Sequence, residues 1–354
     1  MVNPVIQATR TIQKLLLMSC VLCVTSQLLA GNSNQPHYRV IQTIPVGGDV
    51  HWDCLTLDAS NHRLFIAHSD RVDIVNVNSG KLIGSVPNAE GVHSVALAPD
   101  IGRGFFSNGK ADTVTIFDSH TLRSLGTVIT GGKPDAILYK NASREVIVAN
   151  ADSHVLTTID AVKGLAIHSI ALSGEPEFMA LGGDNYLYVN LVDVAKIARV
   201  DLKNNRVESE YDLNPDCEEP TGLAIDERRQ RLFISCRNKV MMVLSATTGD
   251  KLAVLPIGAN TDGAAYDSAT DMAFSANGEG TLTVITRNNK DQYRVSQTVK
   301  TMAGARTLAL DTYSHRIYLV AAKLDRVEPP TAERPFLHYQ FKPNTFRVVV
   351  VGPN

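Results

Sequence analysis

The chain has 354 residues, 44% of them apolar and 20% charged, a globular balance that argues against long disorder. Its 34 basic and 36 acidic residues give a formal charge of −2. Residues 1–30 carry Arg10 and Lys14 and no acid, so the remainder stands at −4, a poor match to nucleic acid, whose binding needs clustered cations.

The first predicted element is an export signal at residues 1–30. Arg10 and Lys14 precede an uncharged, mostly apolar run from Leu15 to Ala30, the layout of a basic n-region before a short h-region. Cleavage after Ala30 or Ser26 fits this layout. A lipoprotein site at Met18-Ser19-Cys20 and a retained signal anchor are the alternatives. No later stretch is apolar for long enough to span a bilayer, so the mature chain, residues 31–354, is expected to be soluble and periplasmic or secreted.

After the signal, Tyr38-Arg39-Val40-Ile41-Gln42-Thr43-Ile44-Pro45 reads as a strand without a local partner. A unit then recurs: short strand, Asp-rich turn, second strand often ending in Asn, third strand, turn, fourth strand. The residue opening the second strand falls at Arg63, Arg103, Glu145, Asn185, Arg231, Met272 and Arg316, at intervals of 40, 42, 40, 46, 41 and 44. Four strands in about 40–45 residues is the period of a propeller blade. The expected fold is all-β: a seven-bladed β-propeller of four-stranded antiparallel blades. The seventh unit lacks a fourth strand. Its third strand, Phe346 to Val351, should pair with Tyr38 to Pro45 and close the ring. Residues 322–344, with Pro329, Pro330, Pro335 and Pro343, read as a loop inserted in that blade.

The period makes positions comparable between blades. Five residues after each anchor stand His68, Asn108, Asn150, Asn190, Cys236, Asn277 and Ala321. The repeated Asn suggests a backbone role, since Asn tolerates left-handed geometry and bonds its own turn. Ten residues before the anchors stand Asp53, His93, Asp135, Thr221, Asp262 and Arg306, and Glu177 joins them once a shorter turn in blade 4 is allowed for. This position opens the innermost strand, so the seven side chains should meet at one mouth of the central channel. Their chemistry varies between blades, which favours a ligand-binding role over a merely wet rim. Four converging carboxylates need an offset: a divalent cation such as Ca²⁺, Mn²⁺ or Zn²⁺, Arg306, a protonated His93, or raised carboxyl pKa values. Asp53 and Arg306 should be neighbours once the ring closes, giving a funnel that is electropositive on one side and suited to a ligand with anionic and hydroxyl-bearing ends. Trp52, the chain's one tryptophan, is expected to pack between blades, with stacking on a sugar or aromatic ligand as the alternative. Cys54, Cys217 and Cys236 follow the signal. Cys217 and Cys236 belong to one blade, where an oxidised pair and two free thiols are both open.

The phrases Thr113-Val114-Thr115-Ile116-Phe117-Asp118, Val148-Ala149-Asn150, Gly91 to Asp100, Lys133-Pro134-Asp135-Ala136, Gly304-Ala305-Arg306-Thr307 and Val349-Val350-Val351-Gly352 resemble the YVTN repeat of bacterial β-propellers, in its YncE-like branch. The resemblance runs from about residue 37 to the C-terminus and departs from the consensus Asn in three blades. It implies an exported propeller and no particular activity.

No phosphate-binding Gly loop, GxSxG elbow or CxxCH haem motif occurs, and basic residues form no run. The expected function is therefore a monomeric binding or interaction module for a small polar ligand or a protein partner. A metal-assisted lactonase or lyase using the same channel-mouth residues is the alternative. An accessory role in periplasmic redox systems rests on fold analogy alone.

Overall fold

The blades are built from one repeated turn chemistry. In six of them the residue before the second strand is left-handed: His62, Gly102, Arg144, Gln230, Asp271 and His315, with φ between 55° and 64°. An aspartate ending the inner strand braces this turn, as where Asp58 Oδ1 accepts from the Asn61 amide and Asp226 Oδ1 from the Arg229 amide. Asp118, Asp160 and Asp201 do the same between third and fourth strands. These side-chain-braced turns set the hairpin register.

The computed structural model describes residues 36–48, 51–183, 185–331 and 338–354. The expected export signal lies outside them. Seven four-stranded antiparallel sheets are arranged in a ring. Their innermost strands start at Leu55, Val92, Pro134, Pro176, Pro220, Thr261 and Leu308, each beside the next, and the last lies beside the first. Among the described residues the one helical turn is Pro99–Ile101, and no helix is long and apolar enough to cross a membrane. Second and third strands are buried on both faces, which is why they read as continuous apolar runs. Each apolar layer is shared by neighbouring blades: Leu64 and Ile66 of blade 1 pack with Tyr318, Val348 and Val350 of blade 7.

The ring closes through its termini. Tyr38–Pro45 is the outer strand of blade 7, antiparallel to Arg347–Pro353, with Val40 opposite Val351 and Ile44 opposite Val348. Tyr38 is buried and meets the Phe274 ring of blade 6 edge-on at 5.2 Å.

Three expectations need correction. Residues 322–344 are not simply a loop: Leu324–Glu328 and His338–Phe341 form an antiparallel hairpin, with Val327 opposite Tyr339. The repeated Asn is structural, but none of these residues has a positive φ. Asn108, Asn150 and Asn277 are buried, and each Nδ2 reaches across the hairpin to the hydroxyl of Thr115, Thr157 or Thr283. Asn190 does not belong to that set. Pro176 pairs with Leu191 as Pro134 pairs with Asn150 and Pro220 with Cys236, so Tyr186, not Asn185, opens the second strand of blade 4. Asn190 Nδ2 instead donates to the Thr221 carbonyl of blade 5, as Ser107 Oγ donates to the Asp135 carbonyl of blade 3. Two of the three departures from Asn, His68 and Cys236, also have structural causes. His68 is buried, bonded to Asp73, and its ring lies against Phe346, tilted by 30°, at 4.1 Å. Cys236 is disulfide-bonded to Cys217.

Candidate functional site

The inner strands open with a defect that frees side chains for the channel. After the pairs Val92–Asn108, Pro134–Asn150, Pro176–Leu191, Pro220–Cys236 and Thr261–Asn277, the ladder shifts register before resuming. An irregularity of this kind re-aims the residue inside it. The residues that follow these first pairs are His93, Asp135, Glu177, Thr221 and Asp262.

A cavity of about 660 Å³ sits at this end of the ring, lined by Asp53, His93, Asp135, Glu177, Asp262 and Arg306. Thr221, the seventh residue of the column, does not line it. Thr221 is fully buried and donates from Oγ1 to the Thr261 carbonyl at 3.1 Å. Its short side chain is satisfied inside the wall. Arg237, one residue beyond the disulfide, lines the cavity from blade 5.

The charges are closely placed. His93 Nδ1 is 2.7 Å from Asp53 Oδ2 and 3.8 Å from Asp135 Oδ2. Arg306 Nε is 2.8 Å from Asp262 Oδ2, and its Nη2 is 3.8 Å from Asp53 Oδ1. Arg306 thus pairs with Asp53 across the closed junction, as expected, and with Asp262 as well, but the electropositive groups are not confined to that side, because Lys133 and Arg237 line the cavity from blades 3 and 5. Two further cations line the cavity and were not read from the sequence. Lys133 faces Asp152 at 3.7 Å and Glu175 at 3.5 Å, and Arg237 faces Glu219 at 2.9 Å.

Three of the cavity's carboxylates, Asp135, Glu177 and Asp262, resist ionisation. Burial, reinforced by the charge of Asp53, pushes Asp135 up to about 7. Burial and the charges of Asp135, Asp262 and Asp53 hold Glu177 well above the usual carboxylate range. Burial also raises Asp262, despite the opposing charge of Arg306. The hydrogen bond to Asp53 holds His93 above the ordinary imidazole value against the opposing effect of burial. Cys54 also lines the cavity, and burial, reinforced by the charge of Asp53, raises its thiol well above the ordinary value, which disfavours the reactive thiolate.

The inserted hairpin supplies one wall. Tyr339 and Phe341 line the cavity together with Trp52. The Trp52 ring lies 4.9 Å from Phe341 and 5.3 Å from Phe346, and Trp52 packs in the apolar layers on both sides of blade 7, as expected. Tyr339 stacks on Phe341 at 6.4 Å and accepts at its hydroxyl from Asn260 Nδ2. No repeat position could have revealed Tyr339 and Phe341, because the insertion has no counterpart in the other blades.

Asp53, His93 and Asp135 each offer one ligand atom, all within 4.8 Å of one another. Two oxygens and one imidazole nitrogen could hold a divalent cation. Among the described residues no nucleophile–base pair of the Ser–His or Cys–His kind occurs in the cavity.

No family model matches this chain. No curated protein matches it in sequence. A chain of Kuenenia stuttgartiensis hydrazine synthase is similar in structure, with a TM-score of 0.68 at 15% identity over 84% of this chain and 98% of that one. At that identity the likeness shows the β-propeller fold alone.

Proposed function

We propose that the chain is an exported binding module whose channel-mouth cavity takes a small polar ligand. The observation that carries this reading is the convergence of eight ionisable side chains, Asp53, His93, Lys133, Asp135, Glu177, Arg237, Asp262 and Arg306, from all seven blades on one cavity of about 660 Å³, a volume within the range of small-molecule sites. Export is supported by the basic and apolar pattern of residues 1–30 and by the Cys217–Cys236 bond, which persists best in an oxidising compartment. The resemblance to YncE-like propellers agrees with export.

A metal-assisted hydrolase or lyase is the second reading, favoured by the Asp53, His93 and Asp135 grouping. There a divalent cation would polarise a carbonyl, and His93 or a carboxylate would move a proton.

A thermal-shift screen of small polar compounds, run beside elemental analysis of the purified protein, tests both. Ligands that raise the melting temperature of the wild type but not of Asp135→Asn or Glu177→Gln support the binding module. A stoichiometric cation lost in Asp53→Asn and His93→Ala supports the second reading. Stabilisation that survives all four substitutions would place binding elsewhere and overturn both.

A further inference from the structure

We infer that the ligand is an organic ammonium ion, its cationic head held by Glu177 and Asp135 and its apolar body laid against Trp52, Tyr339 and Phe341. This rests on the binding-module reading.

The argument begins from unmatched charge. Arg306, His93, Lys133 and Arg237 each already face at least one carboxylate. Arg306 is taken by Asp262 and Asp53, and His93 by Asp53. Lys133 is shared by Asp152 and Glu175, and Arg237 is paired with Glu219. Asp135 has only the more distant His93 contact at 3.8 Å. Among the described residues no hydrogen bond or ion pair reaches the Glu177 carboxylate, which is partly buried in the cavity wall, and burial opposes its ionisation. A positive charge placed beside Glu177 and Asp135 relieves both desolvation and mutual repulsion. An anionic ligand would meet carboxylates on most sides, with no uncommitted guanidinium to receive it. An uncharged polyol would leave the repulsion in place.

Shape favours an organic cation over a bare ion. The cavity is far larger than a metal ion needs. In the ring order, blades 3 and 4, which carry Asp135 and Glu177, lie across the axis from blades 7 and 1. Those blades and the hairpin of blade 7 present Trp52, Tyr339 and Phe341. Aromatic faces receive both apolar bodies and ammonium groups. The donors grouped for a metal, Asp53, His93 and Asp135, use neither Glu177 nor this aromatic wall. The two occupants share Asp135 and differ at Glu177 and the aromatic wall, so Glu177→Gln separates them.

Trp52 gives a direct readout, because it is the chain's one tryptophan and lines the cavity. Its fluorescence would be titrated in the intact protein with butylammonium, 2-phenylethylammonium and 1,4-diammoniobutane, with 2-phenylethanol as neutral isostere and Mn²⁺ as the metal probe. At least one ammonium should give a saturable change, with 2-phenylethanol at least tenfold weaker. Glu177→Gln should weaken binding tenfold or more, and Asp135→Asn severalfold, in variants that keep the wild-type melting transition. If 2-phenylethanol binds as tightly as its ammonium, or both variants bind like the wild type, the inference fails. If Mn²⁺ or an uncharged compound binds in the cavity and no ammonium does, the inference fails while a cavity ligand remains. If nothing tried here or in the thermal-shift screen binds the cavity, both fall.

Discussion

Phe341 lies over Trp52 with 4.9 Å between ring centroids, and Gly304 is the residue that lets the two rings meet there. Gly304 has φ +84°, and a Cβ on it would fall 2.5 Å from Phe341 Cζ and 2.9 Å from Trp52 Cζ2. Its carbonyl also accepts from Trp52 Nε1 at 3.3 Å. Gly304→Ala therefore carries both a left-handed backbone cost and a clash, together about 2–4 kcal/mol. The melting temperature should fall by about 4–8 °C, and Trp52 emission should shift red as the ring meets more water. A variant within a degree of wild type, with unchanged emission, would show that the hairpin does not seat on Trp52.

The cavity should make the protein more stable in mild acid than in mild alkali. Asp135 is pushed up to about 7 by burial and the charge of Asp53, far above its unfolded value near 3.9. Between these values the folded state binds more protons, so stability falls as pH rises through that window. The His93 value is raised by its bond to Asp53, so this contribution is full below about 6.5 and is lost as pH rises through the folded value. The two effects have the same sign. Carboxylates held low against burial by their partners, such as Asp73 beside His68 and Asp226 beside Arg229, act only below about pH 4. Melting curves at constant ionic strength should show a higher midpoint at pH 5.5 than at pH 8. Asp135→Asn should flatten the slope and raise the pH 8 midpoint by about 1–4 °C. A midpoint that climbs from pH 5.5 to 8 would contradict the assignment.

The propeller was legible because its register is set locally. A left-handed residue and a bracing aspartate recur at fixed places, so a count along the chain finds each second strand. Blade 4 misled by one residue because Asn190, an Asn near the expected place, serves a different contact, the Thr221 carbonyl. The column of inner-strand residues was legible for the same reason, but direction within it was not. Thr221 holds the right register position and still turns into the wall, because a neighbouring carbonyl lies within reach of its hydroxyl. Lys133 and Arg237 come from residues outside that column, and Tyr339 and Phe341 from an insertion that repeats nowhere. Periodicity finds what is repeated, whereas the cavity is finished by what is not.

The disulfide should be a measurable part of the stability of blade 5. Cys217 and Cys236 are joined across a separation of 19 residues, both within the buried layer between blades 4 and 5. Closing a loop of that size restricts the unfolded chain by about 3 kcal/mol. Cys236→Ser should lower the melting temperature by about 4–8 °C, and reductant should bring the wild type close to the variant without moving the variant further. Insensitivity of the wild type to reductant during unfolding would sink the idea. Arg237 follows Cys236 directly, so Cys236→Ser should also alter ligand binding more than a substitution in an outer strand of the same blade, such as Leu252→Ala.

Ring closure makes the last prediction, because the strand that completes blade 7 comes from the far end of the chain. Ile44 is 2% exposed and packs with Val348 and Val350, while its backbone pairs opposite Val348. Tyr38 ties the same strand to Phe274 in blade 6 and exchanges hydrogen bonds with the Gln297 side chain. Removing Tyr38–Pro45 leaves Arg347–Pro353, with its run of four valines, as an unpaired edge, the kind of surface that pairs with other chains. The deletion variant should refold into soluble oligomers or aggregate. A milder variant separates edge exposure from loss of packing. Ile44→Asp keeps the backbone pairing but places a charge in the apolar layer, and it should lower the melting temperature by about 6 °C or more while the protein stays monomeric. Gel filtration with light scattering reads both variants. A deletion variant that remains monomeric with an unchanged melting temperature would mean that the ring is held by its other six blades alone.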